Sequence, residues 1–307
     1  MTDEVALTVR SAATWQSQGV TRRLRIRERP RAGAKQESES MDLEVVREVW
    51  EMQGAAPAGA AEARTQVKRA VASVAAASRA LLGEAGAHLE WLPEARGFAT
   101  PVVAGKFRIG FAPAKLALLV TDAAGKPSES FALAGKTNAD AAKWIAEQAG
   151  KHGAKVAADA GAAFTFTASD ALEDLTRSFG NAHRALLCVA AMTKTDQPVR
   201  VAPDALHLTC GVAFGGGNSV GLGYCDGDDE IATPYYYAKP CPMPAKTDAG
   251  SLPELEGGGE WKTDGSWFGG ILHRAEWIWY DAEQLQAGCV VSFLDSGVDA
   301  ARELFGG

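Results

Sequence analysis

The stretch Lys106-Phe107-Arg108-Ile109-Gly110-Phe111-Ala112-Pro113-Ala114-Lys115-Leu116-Ala117-Leu118-Leu119-Val120 decides the fold. Phe107, Ile109 and Phe111 alternate with Lys106 and Arg108. Leu116, Leu118 and Val120 alternate beyond an Ala112-Pro113 turn. Phe131 and Leu133 follow a second turn, Ala123-Ala124-Gly125-Lys126-Pro127. Side chains on a strand repeat every two residues, so apolar alternation between turn signals predicts an antiparallel meander with one wet face.

Helical patterns lie on both sides of this meander. Thr137 is placed to cap a helix running through His152, with Asp140 at its third position and Gly153 as its stop. Upstream, Val67, Val71, Val74, Ser78 and Leu81 recur at helical spacing from Glu62 until Gly83. A short helix is expected over Asp42–Met52, with Leu43, Val46 and Trp50 on one side, and Gly54–Ala61 reads as a linker. The second half has a similar order. Phe164 and Phe166 suggest a short strand. Ser169 or Asp170 would cap a long helix striped by Leu172, Leu175, Phe179, Ala182, Leu186 and Val189. Strands are expected at Leu206–Phe214, Ser219–Tyr224, around Tyr235–Ala238 and at Glu276–Tyr280, then a helix over about Cys289–Phe305. The fold class is therefore α+β, antiparallel sheets packed by long helices. One globular unit over 41–307 is expected, with two similar halves, 41–160 and 161–307, as a further expectation that no clear residue-level repeat supports.

The chain has 307 residues, 47% hydrophobic and 22% charged, ample material for a core. No apolar run is long enough for a transmembrane helix, so no membrane partner is expected. Residues 1–40 carry eight Lys/Arg against five Asp/Glu, or +3, and the remainder 23 against 33, or −10. This segment, with Arg22, Arg23, Arg25, Arg27, Arg29 and Arg31, reads as a disordered basic tail, or as a mis-called start upstream of Met41. The acidic body argues against nucleic-acid binding. Five widely spaced cysteines, Cys188, Cys210, Cys225, Cys241 and Cys289, form no C-x-x-C pair, which suits reduced thiols in the cytoplasm.

From about Arg64 to Phe305 the order of features resembles a bacterial family known only as a domain of unknown function. The matching pieces are Trp91-Leu92-Pro93, Ala95-Arg96-Gly97-Phe98-Ala99-Thr100-Pro101, the Phe107–Phe111 strand, Gly125, and the helix near Asn138. Later come Pro198-Val199, Pro234-Tyr235-Tyr236-Tyr237-Ala238-Lys239-Pro240, Glu276-Trp277-Ile278-Trp279-Tyr280 and Phe293-Leu294-Asp295-Ser296. The chain departs from the family around Lys194–Pro203, where Arg200 stands in place of a histidine after the Pro-Val pair. The resemblance implies one continuous unit in a cytoplasmic bacterial setting and supplies no catalytic residue.

Motifs of chemistry are mostly decoys. Gly135-Lys136-Thr137 precedes a helix but lacks the earlier glycine of a P-loop. Gly215-Gly216-Gly217 is followed by a strand, so no helix N-terminus awaits a pyrophosphate, and it reads as a hairpin turn. Cys225-Asp226-Gly227-Asp228-Asp229-Glu230 starts like a calcium loop and does not continue as one; it reads as a solvated acidic turn with weak metal binding as the lesser reading. No metal site and no cofactor are expected. None of the histidines, His88, His152, His183, His207 and His273, forms H-x-x-x-H. The C-terminal half is dense in aromatic rings near polar groups, a plausible ligand platform. The expected function is small-molecule binding through an aromatic pocket lined by Tyr235, Tyr237, Trp277 and Trp279, with His273 and Glu276 as polar anchors. Alternatives are a hydrolase or metal-assisted enzyme using His207 or His273, and a protein-interaction module docking through the basic tail. The oligomeric state is not legible.

Overall fold

Apolar alternation and turn chemistry build the central meander. The computed structural model describes residues 43–153, 155–156, 164–244, 251–263 and 267–306, together with the backbone of 12–17 and 20–25. In that backbone β1 (Ala12–Ser17) pairs antiparallel with β2 (Val20–Arg25). The remainder of the 1–40 segment expected as a tail, and the start at Met41, lie outside the described residues.

A short helix α1 (Leu43–Val49) leads into α2 (Ala60–Leu82), which ends at Gly83 as its spacing demands. Then come β3 (Glu90–Leu92), β4 (Gly97–Ala99), β5 (Phe107–Ala112), β6 (Ala117–Asp122) and β7 (Pro127–Ala132), five antiparallel strands in chain order. Helix α3 (Asn138–Lys151) carries the expected capping box: the Thr137 hydroxyl accepts from the Asp140 N–H at 3.2 Å, and the Asp140 carboxylate accepts from the Thr137 N–H at 2.8 Å.

The second half opens with α4 (Ala171–Thr193), all six of whose predicted stripe residues are buried. Its sheet has six strands, in the order β12 (Glu260–Lys262), β13 (Gly269–His273), β11 (Tyr235–Cys241), β10 (Asn218–Cys225), β9 (His207–Gly215), β8 (Arg200–Ala202). Gly215, Gly216 and Gly217 all have positive φ (86°, 60° and 84°), so the turn between β9 and β10 uses conformations that other residues rarely adopt. The α+β class and its antiparallel sheets thus stand as the sequence implies.

Three local readings are corrected. No strand forms at Phe164 and Phe166; the ladder there is a single bridge, Thr137 to Thr165. The strand expected at Glu276–Tyr280 is instead a helical turn, α5 (Arg274–Trp277), following β13. Trp277 and Tyr280, three residues apart, are both buried, a spacing that a helical turn satisfies and a strand does not. The last helix, α6 (Glu283–Leu304), begins six residues before the expected Cys289.

Reciprocal backbone bonds between Leu89 and Val201, 3.0 and 2.8 Å, set the edge strand β8 of one sheet beside β3 of the other. Similar turns close the hairpins on either side of that join. Leu92-Pro93-Glu94-Ala95-Arg96 joins β3 to β4, and Ala202-Pro203-Asp204-Ala205-Leu206 joins β8 to β9. Each has proline presetting the turn and a left-handed residue ending it, Arg96 at φ 48° and Leu206 at φ 55°. Both hairpins follow a 23-residue helix, α2 or α4.

The helices share one core against the inner faces of both sheets. A chain of rings runs through it from one half to the other: Trp91, Phe98, Phe179, Tyr224, Tyr236 and Trp277, with successive centroids 4.9–5.3 Å apart. Segment 50–54 is threaded beneath. Gln286 donates to the Gln53 carbonyl at 2.8 Å and accepts from the Gln53 N–H at 3.0 Å. Arg274 reaches the Gly54 carbonyl at 3.0 Å and holds Asp174 bidentately at 2.8 and 3.0 Å. Among the described residues no helix is long and apolar enough to cross a membrane.

Candidate functional site

Strand alternation sorts the predicted aromatic residues onto opposite sides of the second sheet. Tyr224 and Tyr236, paired across β10 and β11, face the helices. Tyr235 and Tyr237 point the other way, into a second cluster with Cys225, Ile231, Trp267 and Ile271. Trp277 lies with Tyr236 in the main core, fully buried, and its indole N–H donates to the Gln53 side-chain carbonyl at 3.0 Å. Trp279 is half-buried and meets Tyr280 edge to face at 5.3 Å. A carboxylate beside His273 is that of Glu260, 3.3 Å from Nε2. The structure therefore brings Tyr235, Tyr237 and His273 to one outer face and sends Trp277 to the opposite side.

On that outer face the strand register builds a row that spacing alone does not reveal. His207 on β9 lies opposite Cys225 on β10, Cys225 opposite Tyr235 on β11, and Tyr235 opposite His273 on β13. Directly opposed residues share a face, so four chemically competent side chains stand side by side. The loop leaving β10 adds a fifth. Gly227, at φ 105°, turns the chain back so that Asp228 returns over the row. A Cβ at Gly227 would press on the Ala232 carbonyl and the Arg64 guanidinium, at 2.7 and 2.9 Å.

Asp228 is held at both oxygens. Its Oδ1 accepts from the N–H groups of Glu230 and Ile231 at 2.9 and 2.7 Å, and its Oδ2 accepts from the Tyr235 hydroxyl at 2.6 Å. The same Oδ2 lies 3.9 Å from Cys225 Sγ, which itself accepts from the Gly227 N–H at 3.3 Å. One donor atom each from His207, Cys225 and Asp228 lies within 4.8 Å of the others. His207 Nε2 is buried and, among the described residues, has no hydrogen-bond partner. Tyr237 lies flat across Gly223, where a Cβ would overlap its ring.

Burial lowers the His207 pKa, outweighing the nearby Asp228 charge that raises it. Burial pushes the Cys225 thiol up to about 11, against the lowering bond from the Gly227 N–H. For Asp228 burial pulls upward, but the Tyr235 hydroxyl and the two backbone N–H groups outweigh it and leave the carboxyl below its usual range. At neutral pH the group is a neutral imidazole, a thiol and a carboxylate, and the thiol is not poised as a nucleophile.

A groove of about 410 Å³ opens beside the row, lined by Ile231, Glu260, Trp261, Lys262, Ile271 and His273. Ile231 and Ile271 belong to both the groove and the outer cluster. A separate groove of about 680 Å³ lies between 253–258 and α6 and carries the carboxylates Glu254, Glu256, Asp295, Asp299 and Glu303; it holds none of the predicted residues.

Sequence reasoning did not single out Glu260 and did not join Cys225 and Asp228 to His207: it gave weak metal binding at the Cys225–Glu230 turn as a lesser reading and, separately, a hydrolase or metal-assisted enzyme using His207 or His273. No family model, curated protein or solved structure matches the chain, so the reading of this site rests on its own geometry.

Proposed function

We propose that the protein binds a small polar molecule in the groove on the outer face of its second sheet, with His273, Glu260 and Lys262 as its polar contacts. The observation that supports this is the cross-strand row. It seats His273 beside a groove lined by Ile231 and Ile271, apolar surface with a few convergent polar groups. Its volume, about 410 Å³, lies in the range that small ligands fill. A histidine, a carboxylate and an ammonium group, His273, Glu260 and Lys262, on one groove suit a ligand carrying its own charge or hydrogen-bonding groups.

Native and denaturing mass spectrometry of the freshly purified chain tests this reading. Extra mass present only in the native spectrum, and lost on His273→Ala, is the expected result. A native mass equal to the denatured one, or a retained mass indifferent to His273→Ala, would overturn it.

A further inference from the structure

We propose a transition-metal site of the zinc class at His207, Cys225 and Asp228, beside the groove and independent of what the groove holds. An imidazole nitrogen, a thiol sulfur and a carboxylate oxygen already lie within 4.8 Å of one another. Donors bound tetrahedrally at about 2.0–2.3 Å stand roughly 3.3–3.8 Å apart, so closing the shell needs shifts of about 1 Å, within reach of side-chain rotation.

The elements that hold these donors differ in rigidity. His207 and Cys225 sit opposite each other in a paired ladder, so their separation is set by the sheet. Asp228 arrives on a turn whose return is fixed by Gly227 and by the two N–H bonds to its Oδ1. Those bonds leave Oδ2 as the oxygen facing the sulfur. Tyr235 braces that oxygen as an outer partner, the arrangement that orients ligating carboxylates.

Two further features point to a cation. The buried His207 Nε2 meets no partner among the described residues, and a buried polar atom left so costs about 1–3 kcal/mol. A thiolate and a carboxylate would together balance a divalent charge. The sulfur passes its proton to solvent as the metal–sulfur bond forms. Soft sulfur with imidazole selects zinc or cobalt over magnesium or calcium, which prefer all-oxygen shells. Three protein donors leave a fourth position for water or an incoming anion.

Cobalt(II) reports the site directly. The full chain, stripped with chelator and dialysed, should take up one equivalent of Co²⁺ and show a thiolate-to-cobalt charge-transfer band in the near ultraviolet. Zn²⁺ should displace the band. Cys225→Ser should abolish it, Asp228→Asn should keep it while weakening binding at least about tenfold, and Tyr235→Phe should weaken binding about tenfold as an outer partner does. Circular dichroism of each variant confirms an intact fold. Absence of stoichiometric Co²⁺ uptake by the wild type would overturn the site. So would a band that survives Cys225→Ser but disappears with the exposed Cys241 replaced. A groove ligand that depends on His273, found together with no Co²⁺ uptake, would remove the metal site and leave the binding groove standing.

Discussion

Replacing Trp277 by alanine separates a core tryptophan from a pocket tryptophan. The side chain is fully buried, packs edge to face on Tyr236 at 5.0 Å, and donates its N–H to Gln53 Oε1 at 3.0 Å. Truncation removes the ring from the end of the aromatic chain and leaves that buried oxygen short of a donor. Core Trp→Ala changes cost about 3–5 kcal/mol, with an unsatisfied acceptor among the contributions to the upper end. At this chain length each kcal/mol moves the midpoint by about 2 °C, so thermal unfolding followed by circular dichroism should shift down by about 6–10 °C. Trp279→Ala is the control, because that ring is half-buried; its loss should shift the midpoint by no more than about 2–3 °C. If Trp277→Ala melts within about 2 °C of wild type and instead loses a ligand retained in the native mass spectrum, Trp277 lines a pocket and the placement argued above is wrong.

Three more outcomes are expected. Arg274→Met strands the half-buried Asp174 carboxylate, now held bidentately at 2.8 and 3.0 Å, and should lower urea stability by about 3–5 kcal/mol; a loss under about 1 kcal/mol would count against a coupled buried pair. Thr137→Ala removes the α3 capping box and should cost about 1 kcal/mol, seen as a lower urea midpoint with unchanged slope; an unchanged midpoint would mean the cap contributes nothing. Burial, with Arg184 nearby, lowers the His183 pKa from 6.5 to about 4, so between those values the unfolded chain binds a proton that the folded chain refuses. Stability should therefore fall as pH drops from 6.5 towards 4, by up to about 1.4 kcal/mol per pH unit from this group, and His183→Asn should flatten that slope; identical slopes in the two proteins would contradict it.

Where one physical signal acts alone, the fold is readable from the chain. The Thr137–Asp140 box, the Gly83 stop, the α4 stripe and the glycine turn at 215–217 each follow from local stereochemistry, and each is present. Reading fails where tertiary burial overrides local preference. Glu276-Trp277-Ile278-Trp279-Tyr280 is aromatic and β-branched, which favours a strand, yet burying Trp277 and Tyr280 together requires helical spacing. The short strands β3 and β4 were invisible to alternation because three residues cannot display a period. Gly54 looked like part of a linker, and its carbonyl is an anchor for Arg274 that no composition rule would single out.

The site was partly legible for the opposite reason: its residues are ordinary, and only their pairing is special. Tyr235, Tyr237 and His273 could be picked out as polar aromatics in a strand region, but which side they faced depended on which strand was buried on both sides. Motif spacing searches for metal ligands close together on one element, as in C-x-x-C or H-x-x-x-H. Here His207 and Cys225 meet because a hairpin turning at Gly215–Gly217 pairs residues counted outward from it, and the register carries that count down the ladder apart from an irregularity beside the turn. The turn was visible in the sequence, but the shift beside it was not: counting outward from the Gly215–Asn218 pair would set His207 against Asp226, and the irregularity moves it one place to Cys225. What no count could supply is Tyr235. It joins the row through the 226–234 loop, whose path depends on Gly227 and on the backbone bonds that hold Asp228. A donor set assembled by register, then completed by a loop, can only be tested as a set, and that is why the cobalt band and its dependence on Cys225 bear on the whole row at once.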